Sequence, residues 1–169
     1  MNKKIFVLLV VIMVIFAMSI PALAGKPGNN ASGEWCYDLV DGDDVKLADG
    51  NTFVLNFNDI GNWNGTFVGD SVDTGWIVMH TNRWYFNSTV SFESVEVLGR
   101  TGSLQMRVNG WLPVEDPLDY SLYAGTWVIT RATGDLRGLT GRGTWDMMTG
   151  TTCPFYGVPY EGIVRFKNE

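Results

Sequence analysis

Beyond about residue 33 the chain shows no sustained apolar repeat of the helical kind, with about 3.6 residues per turn. Apolar and polar positions instead alternate over short runs of β-branched and aromatic residues, separated by Gly, Asn and Asp. These runs predict strands over 34–40, 52–57, 61–72, 75–80, 84–92, 95–98, 104–111, 120–131, 143–148 and 162–166, with some neighbouring pieces forming one bent strand. Asp49-Gly50-Asn51, Asp73-Thr74-Gly75 and Arg100-Thr101-Gly102 predict tight turns, because Gly, Asn and Asp tolerate the positive φ that hairpins demand.

The alternation has an unusual quality. In 125–131, Trp127, Ile129 and Arg131 share one face while Thr126, Val128 and Thr130 share the other, so neither is simply polar. A sheet with one solvated face would alternate more cleanly. Two partly apolar faces predict an all-β fold, a single closed antiparallel β-barrel of about eight strands, with a two-layer sandwich as the alternative. Gly-Thr-aromatic triplets recur at Gly65-Thr66-Phe67, Gly125-Thr126-Trp127 and Gly143-Thr144-Trp145. Gly there permits close approach while the aromatic ring fills the core.

The first residues follow another pattern. Lys3-Lys4 precede an uncharged apolar stretch over 5–20, and Pro21-Ala22-Leu23-Ala24 supplies small residues for cleavage after Ala24. This reads as a signal peptide over 1–24, a polar flexible leader over 25–33 and a barrel domain over 34–169. An apolar span of that length is short against the roughly 20 residues that cross a bilayer. The expected destination is therefore secreted or periplasmic, with no stable membrane insertion after cleavage. Cys36 and Cys153, the only two cysteines, are expected to form a disulfide in such an oxidising compartment.

Charge removes one class of partner. Cleavage would leave ten basic against eighteen acidic residues, a net charge of −8, with no basic cluster to meet nucleic-acid phosphate. Metal chemistry has little to work with: His80 is the only histidine, and the acidic stretch Asp38, Asp41, Asp43, Asp44 and Asp49 lacks the spacing of a calcium loop. No Gly-x-Ser-x-Gly elbow accompanies a possible triad, and Gly134 to Gly143 lacks the Gly-Lys-Ser/Thr of a phosphate loop. That glycine-rich run reads as a compact turn whose Leu136 and Leu139 plug a barrel end. No metal and no cofactor is expected.

Candidate binding residues are the polar side chains on otherwise apolar strands, Glu93, Gln105, Arg107, Arg131 and Asp146, together with Trp127 among the many aromatics. Polar groups turned into a barrel would be forced to pair or to shift their pKa, the usual setting for acid–base work. External salt bridges are the plainer account of the same residues. An aromatic-lined interior with few polar groups suits a small hydrophobic ligand.

The order of motifs resembles a known family. Gly99-Arg100-Thr101-Gly102-Ser103, then Gly125-Thr126-Trp127, then Thr133-Gly134-Asp135-Leu136-Arg137-Gly138-Leu139-Thr140-Gly141-Arg142-Gly143 are similar to DUF3224-type proteins, grouped with the allene oxide cyclase-like barrels. The resemblance runs from about Gly61 to Phe166. It implies a closed antiparallel barrel with a central cavity. Related barrels fold a hydrophobic substrate inside, so three roles are expected: binding a small hydrophobic molecule, a cyclase- or isomerase-like enzyme, or a structural or surface interaction module with a filled barrel. A lipocalin- or avidin-like barrel is the rival fold.

Overall fold

A computed structural model describes residues 28–46, 53–80, 83–113, 123–146, 152–153 and 156–167. Eight antiparallel strands run in sequence order round a closed barrel: β1 (Asn29–Lys46), β2 (Phe53–Gly65), β3 (Phe67–Met79), β4 (Arg83–Val97), β5 (Arg100–Pro113), β6 (Ala124–Ala132), β7 (Leu139–Asp146) and β8 (Tyr156–Phe166). The ring closes where β8 pairs with β1, from Asn29 opposite Val164 to Tyr37 opposite Tyr156. The sandwich alternative is thereby excluded. Closure also leaves no unpaired edge.

Several expected boundaries move, for physical reasons. The segment 61–72 is cut at Gly65-Thr66, where a φ of +91° at Gly65 turns β2 into β3. Asp73-Thr74-Gly75 is no turn: it lies inside β3, flanked by ladders to β2 and β4. The segments 84–92 and 95–98 are one strand, β4, with a bulge between Phe92 and Val95. Arg100-Thr101-Gly102 is already β5. The hairpin tip is Leu98-Gly99, both at positive φ (54° and 75°), as a two-residue loop matched to strand twist requires. Strand β1 starts at Asn29, inside the stretch read as a flexible leader, because buried Ala31 and its neighbours pair with β8. The signal-peptide segment 1–24 and the turn Asp49-Gly50-Asn51 lie outside the described residues.

Residues directly opposite on antiparallel strands share a face, so the inward positions can be followed round the ring. They include Trp35 and Trp63, Phe67 and Val97, Val90 and Met106, and Leu139 and Phe166. An eight-stranded barrel is wide enough to be filled by side chains or to hold one small ligand, and here glycines make room for the rings. Gly125 faces Trp145, and Trp127 faces Gly143. A Cβ on Gly125 would come within 2.6 Å of the Trp145 indole, and one on Gly143 within 2.6 Å of Trp127. Each Gly-Thr-Trp triplet therefore lends its glycine to the other's ring.

The end bearing the β2–β3, β4–β5 and β6–β7 connections is packed solid. Phe67, Val95, Val97, Leu136 and Val164 are fully buried there, and the 3-10 turn Gly134–Leu136 delivers Leu136 as a plug. Tyr160 ties this end together: its hydroxyl accepts the Phe67 N–H (3.0 Å) and donates to the Asn64 carbonyl (2.8 Å). Burial pushes that phenol up to about 12, so it stays a donor throughout the ordinary pH range. Tyr160→Phe should cost about 1–2 kcal/mol in denaturant unfolding, because the Phe67 N–H is left buried without a partner.

Candidate functional site

One patch of the barrel wall breaks the apolar rule. Among the described residues the buried polar side chains are Asp59, Ser71, Asp73 and Ser88, all on the inward phase of β2, β3 and β4. The register brings them together. Asp59 lies directly opposite Asp73, Ser71 opposite Gly61, and Ser88 opposite Gly75. The strands place them there because each keeps strict alternation with neighbouring aromatics. On β2, Phe57, Asp59, Gly61 and Trp63 point in while Asn56, Asn58, Asn62 and Asn64 point out.

The patch is incompletely satisfied. The Ser71 hydroxyl accepts the Trp63 indole N–H at 3.0 Å. Neither carboxylate oxygen of Asp73, nor the Ser88 hydroxyl, nor the Trp35 indole N–H has a hydrogen-bond partner. Buried polar groups in native proteins nearly always have one. The Trp35 nitrogen belongs to the same patch, since a Cβ on Gly61 would fall 2.4 Å from it and 2.8 Å from the Ser71 oxygen. Burial pushes Asp73 from an ordinary 3.8 up to about 7; the nearby Ser88 hydroxyl, outside hydrogen-bond geometry, pulls it only partway back. Asp73 is thus a carboxyl group poised to take or release a proton near neutrality.

At the opposite end of the barrel, the mouth, where β1–β2, β3–β4, β5–β6 and β7–β8 are joined by segments largely outside the described residues, the inward side chains are less deeply buried. Phe57 and Phe86 stack with centroids 5.3 Å apart, and Phe86 meets Trp145 edge-on at 5.9 Å. Tyr37, Ile77, Trp84 and Phe86 point inward yet are only partly buried. The polar patch therefore sits between a solid aromatic plug and a set of partly buried apolar side chains. The disulfide Cys36–Cys153 joins β1 to the β7–β8 connection at that mouth, with Cα atoms 5.4 Å apart. Beside it, the Glu34 carboxylate accepts hydrogen bonds from the Thr152 hydroxyl and N–H. Those bonds, the hydroxyl's first, hold Glu34 below the usual carboxylate range.

The residues singled out from sequence lie elsewhere. Glu93, Arg107, Arg131 and Asp146 are exposed on the outer wall, so burial does not force them to pair. Gln105 is half-buried, opposite Arg131, with its amide 3.5 Å from the Ser91 hydroxyl. Trp127 is buried in the plug, donating its indole N–H to the Glu161 carbonyl at 3.1 Å. An open groove of about 840 Å³ is also external, walled by Ser32, Thr126, Arg142, Thr144 and Ile163. It holds no buried unsatisfied group, whereas the inner patch does. The side chains of Asp41, Asp43, Asp44 and Asp49 lie outside the described residues. Among those described, the only close cluster of metal-ligating types is Glu34, Cys36 and Cys153, whose sulfurs are consumed by the disulfide.

No protein-family model matches the chain, and no curated protein matches it either. A crystal structure does: a DUF3224 family protein of unknown function from Shewanella oneidensis superposes with a TM-score of 0.63. The match covers 83% of this chain and 98% of that one, at 15% sequence identity. The two share a fold. Because the alignment spans nearly the whole of that protein, the shared unit is the entire barrel rather than a fragment of it.

Proposed function

We propose that this chain is an exported DUF3224-type barrel that binds a small hydrophobic molecule at the mouth end of its interior. The observation that carries the reading is the set of inward-facing, partly buried Tyr37, Ile77, Trp84 and Phe86 beside unsatisfied buried polar groups. Apolar walls over a few oriented polar atoms are the usual make-up of a small-molecule site. Export is supported by the signal-like sequence over 1–24 and by the Cys36–Cys153 bridge. No described helix is long and apolar enough to cross a membrane. Of the candidate residues from sequence, Trp127 contributes to the floor of this interior through the plug.

The experiment is non-denaturing mass spectrometry of protein purified from its own host, with Nile red titration of the stripped protein. A retained adduct, or 1:1 dye binding lost on unfolding, is expected. Bare protein that also ignores the dye would count against a cavity and for the filled structural module.

One observation favours a second reading, a cyclase- or isomerase-like enzyme of the allene oxide cyclase-like group. Asp73, buried and poised near neutrality opposite Asp59, has the pKa that suits general acid–base transfer. A constrained substrate would then be folded by the cavity while Asp73 moves a proton. Turnover abolished by Asp73→Asn with binding retained would mark that chemistry.

A further inference from the structure

The inner patch carries information about charge. Asp73 is fully buried with neither oxygen hydrogen-bonded, and it faces a second carboxylate across the strand pair. Among the described side chains no cation is buried with it: every described Arg side chain, Lys167 and His80 are exposed. The Ser88 hydroxyl, 1% exposed and also without a partner, lies on the adjoining inward position of β4, next to Gly75. An uncompensated ionised carboxylate in such a setting is strongly disfavoured, and a bound positive charge relieves it.

We propose that the guest of the barrel mouth is an amphiphilic organic amine. Its protonated nitrogen is bound by Asp73, and its apolar body lies among Phe57, Phe86, Ile77 and Trp84. This rests on the binding role proposed above and adds the charge of the ligand. Two features favour a cation over a neutral or anionic head. Ammonium–carboxylate hydrogen bonds are about twice as strong as neutral ones. Two adjoining carboxyl groups disfavour an anion. The chain's net charge of −6 also draws cations toward it rather than away.

The test compares 1-hexylamine, 1-hexanol and hexanoate as probes of matched length, followed by tryptophan fluorescence at pH 8. Hexylammonium should bind at least about tenfold more tightly than hexanol, and hexanoate more weakly than either. Lowering the pH to 5.5 should weaken hexylammonium by about tenfold or more as Asp73 takes up its proton, with Asp59 and Ser88 the polar groups facing it from β2 and β4. Hexanol binding should not change. Asp73→Asn should erase the amine preference and leave hexanol affinity intact. Hexanol or hexanoate binding as tightly as the amine overturns the charge assignment but leaves the binding role standing. Failure of all three probes overturns the binding role itself. Should the variant not fold, the wild-type probe and pH series decide the question.

Discussion

Replacing Asp73 by Asn should make the protein more stable at pH 8, by about 2–4 kcal/mol, although it alters a buried residue. In the unfolded chain this carboxyl titrates near 3.8, and in the barrel near 7. Between those values the folded state holds a proton that the unfolded state has released. Stability contributed by this group is therefore fully present below pH 4, declines as pH rises, and is gone above about 7. At 1.36 kcal/mol per unit the full difference is about 4 kcal/mol, and relaxation and water entry reduce it. Asn keeps the shape without the charge, so variant and wild type should converge near pH 4 and diverge toward pH 8. Other carboxylates tilt the wild-type profile the opposite way, so the quantity to measure is the difference between the two proteins in urea unfolding at each pH. A difference that does not change with pH, or a variant less stable at pH 8, would contradict the burial of an ionisable Asp73.

Removing the Cys36–Cys153 bridge should have an effect of similar size and opposite sign. The two cysteines are 117 residues apart, so the cross-link restrains almost the whole unfolded chain. For loops of that length the chain-entropy model gives about 4–5 kcal/mol. The paired Ser variant should lose that amount in guanidinium unfolding, with m changing because its unfolded state is freer to expand. A loss under about 1 kcal/mol would mean that the unfolded ensemble is already restrained by other means. The bridge also holds the mouth: Cys36 sits between inward-facing Trp35 and Tyr37, and Thr152 next to Cys153 is held by Glu34. Guest affinity should weaken in the same variant.

Barrel closure was legible because strands without a polar face have nowhere to go but around a shared interior. The disulfide was legible from two cysteines and from the export that the sequence over 1–24 leads one to expect. The plug was legible as well, since Leu136 and Leu139 fall where a glycine-rich turn crosses the barrel end. The buried polar patch was not. Asp73-Thr74-Gly75 carries turn residues, and local propensity hides the fact that Asp73 keeps the phase of Phe67 and Ile77 on one strand. Counting by two from Trp63 would have placed Asp59 inside, and counting by two from Phe67 would have placed Ser71 and Asp73 there. Arg107 and Arg131 lie on β-branched runs whose neighbours are apolar on both faces, a pattern that does not distinguish the inner wall from the outer. Yet the face that Val128 shares with Thr126 and Thr130 is the outer one, and exposed apolar residues there are ordinary surface. The barrel fold is thus readable from pattern and turn chemistry, whereas the candidate site depends on strand register, which pairs Asp59 with Asp73 from distant positions.

The most direct test is where a bound guest lies. Nuclear Overhauser contacts from hexylammonium protons should reach the Phe57 and Phe86 rings and the Trp35 indole, inside the barrel. Contacts confined to Val128 and Ile163, on the outer wall, would place the ligand in the external groove and contradict the interior site.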